Sequence, residues 1–478
     1  MFDVAVLVLR GNLKDGTELK AILEEIIPQV CKKLYVKIEV RAGERAETDF
    51  YETMKSVYHT TALIDPDFDI RVLINRHRSL TVDRIFEMQT PQETNACQKF
   101  DSVVLAGTFD RIHNGHKLLL TEAVLLTNKL VTCGVNSEQM DIIKQKTLSE
   151  LIAPVSERCA TVVELIEDIT DGIECRAVPM QDTFGPALYD PDAQCLVLTE
   201  ETPQGSDEIN KKRQQKGFPK LDVHVVPTLD ANDDPVSNES KLSSSSYRRR
   251  ELGTLLREPA HKLPNTSPYI IGLIGGIASG KNQVSKLLAD HGCHVIVCKD
   301  VAQELYNSKS EVRNRIISTY GSGVVAAGTK ISCSKLEEID FSKTEELKSL
   351  KKIIIAELES RIRSELANTN ASVAVIDSDL LFESKVFEIA HQVWSVFVPD
   401  DEAMRRICRQ YNITEDEAKA RLEMSGSNTD RIVRSNMAFS TLFGDEDTKC
   451  QVERALKTLY KKYIPSGKCY KQIVNSCK

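Results

Sequence analysis

Along most of the chain, apolar residues fall in short runs of strand length separated by stretches with a helical repeat, a pattern that predicts α/β architecture with parallel sheets. Near the start, Asp3 to Leu9, Leu34 to Val40 and Asp69 to Ile74 read as strands, with a helical pattern from Glu18 to Leu34. Met88 to Lys99 is polar, bears a proline and reads as a linker, so residues 1–97 are expected to be a small α/β region of their own. That region has no glycine-rich loop and no clustered acid–histidine set, and a structural or docking appendage is expected.

A second series opens at Phe100. Val103 to Ala106 is a buried strand running into Gly107, Lys117 to Leu126 has the apolar density of a helix packed on a sheet, and Leu130 to Val135 is the next strand. Strand, helix and strand in that order form a right-handed parallel unit. The loop from Val135 to Lys146 should therefore share the edge where Gly107 lies. Cys195 to Thr199 is a strand ending in acidic residues, followed by a polar helix with Asn210 and Arg213, and Asp222 to Pro227 is another strand. This domain is placed at 98–259, followed by a linker at 260–268. A third domain, 269–478, begins with the strand Tyr269 to Ile274 and the helical run Asn282 to Leu288, and continues with a strand from Val373 to Glu383 that ends in carboxylates, Asp379 and Glu383 among them, and another from Gln392 to Val398.

Composition narrows the function classes. A chain of 478 residues has room for two or three domains. Its net charge of −8 gives no footprint of a nucleic-acid binder, so any anionic ligand must be held by local positive charge. Thirteen cysteines with no CxxC pair and an odd total argue against a disulfide framework or a structural zinc site, and a reducing compartment is expected. No apolar run reaches the roughly 20 residues of a membrane span. The start is short in its apolar part and soon acidic, unlike a secretory or transit peptide. A cytoplasmic location is expected, with attachment to the mitochondrial surface left open.

The chemistry concentrates at Gly107-Thr108-Phe109-Asp110-Arg111-Ile112-His113-Asn114-Gly115-His116. A buried strand ends in a turn and opens a helix whose first turn carries two imidazoles at i and i+3. Backbone N–H groups and the positive end of the helix dipole favour phosphate there, and two histidines can hold phosphate oxygens together. Lys144 and Lys146, in the loop after the next strand, either reach a phosphate or line a solvated loop. Ser243 to Ser246 precede the triplet Arg248 to Arg250 and a helix-like stretch from Glu251 to Leu256. Four serines suit a flexible linker or a set of cap donors aimed at an anion equally well. In the third domain, Gly275 to Lys281 has the GxxxxGK spacing of a phosphate-wrapping loop between strand and helix. Arg405, Arg406 and Arg409 stand at helical spacing before a possible lid, Ile413 to Arg421, and fit a solvated face as well as a site.

The decamer GTFDRIHNGH resembles the signature of the nucleotidyltransferase superfamily, and its wording is similar to the phosphopantetheine adenylyltransferase part of animal bifunctional coenzyme A synthases. IIKQKTLSELIAP, LVLTEET and SSSSYRRRELG resemble the same family in the same order, and the third domain resembles dephospho-coenzyme A kinase. The resemblance implies a Rossmann-like nucleotidyltransferase domain followed by a P-loop kinase domain. It further implies that Gly107, Thr108, Phe109, Asp110, His113 and His116 meet the nucleotide phosphates, with Thr108 also near the phosphate of 4′-phosphopantetheine. Lys144 or Lys146 would neutralise substrate phosphate, and Ser243, Ser244, Ser245 and Arg248 would close over the ATP phosphates. Gly275, Gly280, Lys281 and Asn282 would line the second nucleotide site. The implied substrates are ATP with Mg2+, 4′-phosphopantetheine and dephospho-coenzyme A.

Three positions depart from the kinase pattern. Asn282 stands where Ser or Thr would ligate magnesium. Val297-Cys298-Lys299 falls on the DxD whose second carboxylate lies near the attacking hydroxyl, and Ile355-Ala356 replaces a His-Pro pair. A cationic lysine cannot accept a proton as a carboxylate does. The expectation is a working adenylyltransferase joined to an impaired kinase. The alternatives are a fully bifunctional enzyme, a nucleotide-binding scaffold without catalysis, and a transferase for another phosphate acceptor.

Overall fold

A computed structural model describes residues 1–10, 16–39, 46–74, 80–87, 100–201, 205–229, 243–259, 268–307, 311–320, 331, 345–378 and 388–464. The expected linker at Met88 to Lys99 and the carboxylates Asp379 and Glu383 lie outside these residues. The described chain separates into two compact units, Met1–Arg249 and Arg250–Lys478.

In the first unit, β1 (Phe2–Arg10), α1 (Gly16–Ile26), β2 (Val30–Glu39), α2 (Ala46–Ile64), β3 (Ile70–Leu73) and β4 (Arg84–Glu87) build a sheet of order β3-β2-β1-β4, parallel throughout. The helical pattern expected to reach Leu34 stops at Ile26. Pro28 sits in a short 3-10 turn, and β2 starts at Val30. A second sheet follows. It comprises β5 (Phe100–Gly107), α3 (Asn114–Leu125), β6 (Thr127–Asn136), α4 (Asp141–Lys144), α5 (Val155–Ile169), β7 (Glu174–Met180), α6 (Gly185–Tyr189), β8 (Cys195–Thr199), α7 (Gly205–Gln215) and β9 (Asp222–Val226), and α8 (Ser244–Glu251) ends the series. The strand order is β7-β6-β5-β8-β9, again all parallel. The order reverses between β5 and β8, which opens a crevice beyond their C-terminal ends.

Residues 1–97 do not stand apart as an appendage. Leu7, Leu23, Val36 and Met54 share one continuous apolar core with Val103, Leu118, Leu120 and Ile166. The reason is the buried character of α3, where Leu118, Leu120, Thr121 and Glu122 are all at most 1 % exposed, so the helix is covered on more faces than its own sheet can reach. Burying each such aliphatic side chain is worth about 1.5–3 kcal/mol.

The second unit contains β10 (Tyr269–Gly275), α9 (Lys281–Asp290), β11 (His294–Val297), α10 (Cys298–Asn307), α11 (Glu311–Tyr320), α12 (Glu345–Asn368), β12 (Val373–Asp377), β13 (Gln392–Phe397), α13 (Asp400–Tyr411), α14 (Glu415–Ser425), α15 (Asn428–Val433), β14 (Met437–Ser440) and α16 (Asp445–Lys462). Its parallel sheet has the order β11-β12-β10-β13-β14, with the P-loop leaving the central strand. No described helix is long and apolar enough to cross a membrane.

Candidate functional site

The turn after β5 is strained and held from several sides. Phe109 and Arg111 have φ of 50° and 47°, a region that side chains with a Cβ seldom adopt. Phe109 is 1 % exposed, and its ring lies 5.6 Å from that of His116. A Cβ on Gly107 would stand 3.1 Å from the Phe109 ring, so glycine makes room for it. The Arg111 guanidinium donates to Asp110 at 2.6 Å and to the Leu151 carbonyl. Buried Arg158 donates to the carbonyls of Thr108 and Ala153, both at 2.7 Å, and Asn136 donates to the Thr108 hydroxyl at 3.4 Å. Arg158 and Asn136 escaped the sequence reading. Arg158 left a signal, because it lies on the apolar stripe of α5 with Val162, Ile166 and Ile169, where a charge has no solvent.

His113 is the N-cap residue of α3, with φ −116° and ψ 174°, but its imidazole does not cap the helix. Instead it stacks on His116, ring centroids 4.0 Å apart. Gly115 permits this, since a Cβ there would lie 3.1 Å from the His113 ring. Both imidazoles are neutral at pH 7. Burial, with His116 and Lys117 nearby, holds His113 well below its ordinary 6.5. Burial carries His116 down to about 4, opposed by Asp110 and aided by Lys146. Between pH 6.5 and about 4 the unfolded chain therefore binds protons that the folded chain does not, so stability falls as pH is lowered through that window. Urea midpoints of the first unit should drop from pH 7 to pH 5, and His116→Asn should flatten that dependence.

Asp110 and Arg248 form an ion pair at 2.6 Å with both side chains fully buried. Arg248 also donates to the Thr147 carbonyl at 2.9 Å and to Ser245 Oγ at 3.1 Å. Arg248 is expected to close over phosphate, and in the structure its side chain is buried among these partners. Its guanidinium turns inward and latches the serine helix onto the GTFD turn. Asp110, 0 % exposed and bonded to two arginines, belongs to the same latch. The serines are neither linker nor uniform donors. Ser243 Oγ accepts from the Ser246 N–H at 3.2 Å and so caps α8, Ser244 opens the helix, and Ser245 receives Arg248. The helical stretch expected at Glu251 to Leu256 ends at Glu251, where it was to begin.

The two lysines separate. Lys144 is exposed and pairs with Asp141 at 3.3 Å. Lys146 is half-buried beside the latch: burial and Arg248 hold its ammonium below the ordinary range, against the pull of Asp110 and Glu201. Its charge acts on His116, while that of Lys117 acts on His113.

In the second unit, Gly275 and Gly280 are needed where they stand. A Cβ on Gly275 would meet Ser279 Oγ at 2.6 Å and the Val396 carbonyl at 2.9 Å. Gly280 has φ +83°, and a Cβ there would meet Thr441 at 2.6 Å. Lys281 pairs with buried Asp377 at the end of β12. Asn282 is exposed in the first turn of α9. Of the three arginines, Arg406 reaches the P-loop, donating to the Ala278 carbonyl at 3.3 Å and to Thr441 Oγ1 at 2.8 Å, whereas Arg405 pairs with Asp401 on the surface. The expected lid forms α14, capped by Thr414. β11 ends at Val297, so Cys298 and Lys299 open α10 instead of ending a strand, with Lys299 and Asp300 both exposed.

Among the described residues no group of three or more His, Cys, Asp or Glu side chains is placed to hold a metal ion. Asp377 Oδ2 is buried without a hydrogen-bond partner beside the P-loop lysine, a donor suited to magnesium carried in on nucleotide phosphates.

Residues 104–250 match the cytidylyltransferase-like family and residues 269–441 match the dephospho-CoA kinase family. A phosphopantetheine adenylyltransferase of Saccharomyces cerevisiae is 35% identical over 36% of this chain and 55% of its own length, so the match spans about half of that relative. A phosphopantetheine adenylyltransferase of Methanopyrus kandleri is 33% identical over 32% of this chain and 92% of its own. A dephospho-CoA kinase of Carboxydothermus hydrogenoformans is 30% identical over 38% of this chain and 90% of its own. Two families of coenzyme A biosynthesis thus fall on the two nucleotide sites in sequence order, and the chain belongs to both, with the architecture of a bifunctional coenzyme A synthase.

Proposed function

We propose that the first unit transfers AMP from ATP to 4′-phosphopantetheine, giving dephospho-coenzyme A and pyrophosphate, and that the kinase unit is impaired. The observation that carries the first part is the neutral, stacked His113–His116 pair at the start of α3, with Lys146 near enough to act on His116 and the buried Asp110–Arg248 latch near Lys146. A phosphate oxygen of the acceptor attacks the α-phosphorus of ATP in line, the bond to the bridging oxygen breaks, and pyrophosphate leaves. No covalent enzyme intermediate is needed. The first-turn N–H groups, His116 and Lys146 neutralise the charge that develops, and the strained turn holds them in place before substrate arrives. Magnesium bound with ATP supplies further neutralisation of its phosphates.

The observation behind the second part is Lys299. It stands at the start of α10, where the kinase pattern has a carboxylate, while Asn282 replaces the hydroxyl that follows Lys281. Full bifunctionality is the second reading. It is favoured by the Lys281–Asp377 pair and by Asp300, which shares the first turn of α10.

One incubation tests both parts. The full chain with ATP, Mg2+ and 4′-phosphopantetheine is expected to accumulate dephospho-coenzyme A, separated from coenzyme A by mass. Coenzyme A as the main product would overturn the impairment, and no pyrophosphate release would overturn adenylyl transfer. If the two replacements cause the defect, Asn282→Ser with Lys299→Asp should raise dephospho-coenzyme A phosphorylation at least about tenfold, the scale of general-base catalysis being about 10²–10⁴. No gain would place the defect elsewhere.

A further inference from the structure

Helix α3 carries polar side chains on a face that its own sheet leaves to residues 1–97. Lys117, next to His116, has a side chain only 7 % exposed and pairs with Asp69 at 2.7 Å. One helical turn on, Thr121 meets the Tyr58 hydroxyl at 3.0 Å, and Glu122 accepts from the Tyr51 hydroxyl at 2.8 Å. Lys117 and Thr121, at i and i+4, share a face by helical spacing, and Glu122 lies further round the same helix. Asp69 is itself fixed: Arg71 donates to both of its oxygens, at 3.2 and 3.1 Å, and ties them to Asp168 on α5.

A second contact from the same segment reaches the histidines directly. The Tyr247 hydroxyl donates to the Pro66 carbonyl, and the Tyr247 ring stacks on His113 with centroids 5.8 Å apart and planes 12° apart. His113 Nδ1 and both amide atoms of Asn114 are buried with no hydrogen-bond partner among the described residues. Stacking therefore sets the attitude of the His113 ring, and the ring beneath it is anchored from Pro66. Pro66, Asp69, His113, Asn114, Lys117 and Tyr247 line one cavity of about 180 Å³, so the two contacts border the same space as the histidine.

We propose that the segment from Asp65 to Asp69, which joins α2 to β3, is a positioning segment for the catalytic histidines, acting through Asp69 on Lys117 and through the Pro66 carbonyl on Tyr247. This rests on the adenylyl-transfer reading for its kinetic consequence, and it gives residues 1–97 a part in the reaction although they lie outside both matched regions. Asp69 and Tyr247 act through other residues and need not touch substrate.

In the full chain, Asp69→Asn is expected to lower kcat for dephospho-coenzyme A formation about tenfold with both KM values within about twofold, because misplacing a group by a fraction of an ångström costs transition-state rather than ground-state contacts. Asp69→Glu should recover most of the loss. Tyr247→Phe removes the hydroxyl while keeping the ring, should fold normally and should change kcat in the same direction, so it decides the matter if Asp69→Asn does not fold. Histidine-selective NMR, with His113 assigned through His113→Gln, gives a readout free of turnover: the His113 resonance should move in Asp69→Asn although the two side chains do not touch. Unaltered kcat in folded Tyr247→Phe, or an unmoved His113 resonance in folded Asp69→Asn, overturns the proposal. A wild-type chain that forms no dephospho-coenzyme A overturns the functional reading instead, and the His113 resonance in the two variants then decides the positioning role.

Discussion

His116→Ala is expected to lower dephospho-coenzyme A formation by about 10²–10³ while leaving the fold in place, the scale seen when one pre-aimed donor at developing charge is removed. The imidazole sits at the first turn of α3, only partly exposed, stacked on His113 and against Phe109, and its removal leaves the core aliphatics of the helix untouched. Because burial depresses the His116 pKa to about 4, the variant should also lose less stability on acidification than the wild type. Product formation measured by mass, beside circular dichroism and urea unfolding at pH 7 and pH 5, checks both parts. A large loss of folded protein with normal turnover per folded molecule would make His116 a structural residue.

Breaking the Asp110–Arg248 latch should have the largest effect on stability. Removing one partner of a buried pair leaves an uncompensated charge and costs about 3–5 kcal/mol. The two halves are not equivalent. In Arg248→Met, Asp110 keeps its bond to Arg111, whereas in Asp110→Leu the Arg248 guanidinium keeps the neutral acceptors Ser245 and Thr147. Asp110→Leu is therefore the more damaging change, and the double variant should recover much of the stability but little activity, since the GTFD turn and α8 are no longer tied. The chain has one tryptophan, Trp394, and it lies in the second unit. Its fluorescence transition should stay in place while the circular dichroism transition of the first unit moves to lower urea. Equal destabilisation of both signals would show that the two units unfold together.

Much of this protein was legible because its signals are local. Short apolar runs and helical runs mark β5, α3, β6, β8, β10 and α9 to within a few residues, and Gly107, Gly115, Gly275 and Gly280 stand where a side chain would collide with its neighbours. The errors have equally specific causes. Pro28 ends α1 early, α2 and β4 carry too weak a pattern to stand out, and Ser243 caps its own helix where the serine run suited a linker equally well.

The sequence alone determined the order of the parallel units, the histidine helix, the P-loop and the substituted positions Asn282 and Lys299, all of which depend on residues a few positions apart. Only the tertiary structure decided which charges are buried in pairs and which stay near the histidines. Arg248 meets Asp110 across 138 positions, Lys117 meets Asp69 across 48, and Lys146 turns in while Lys144 turns out. The physical reason is desolvation. A charge removed from water must find its partner wherever the fold brings one, and that distance in space is not written in the spacing along the chain.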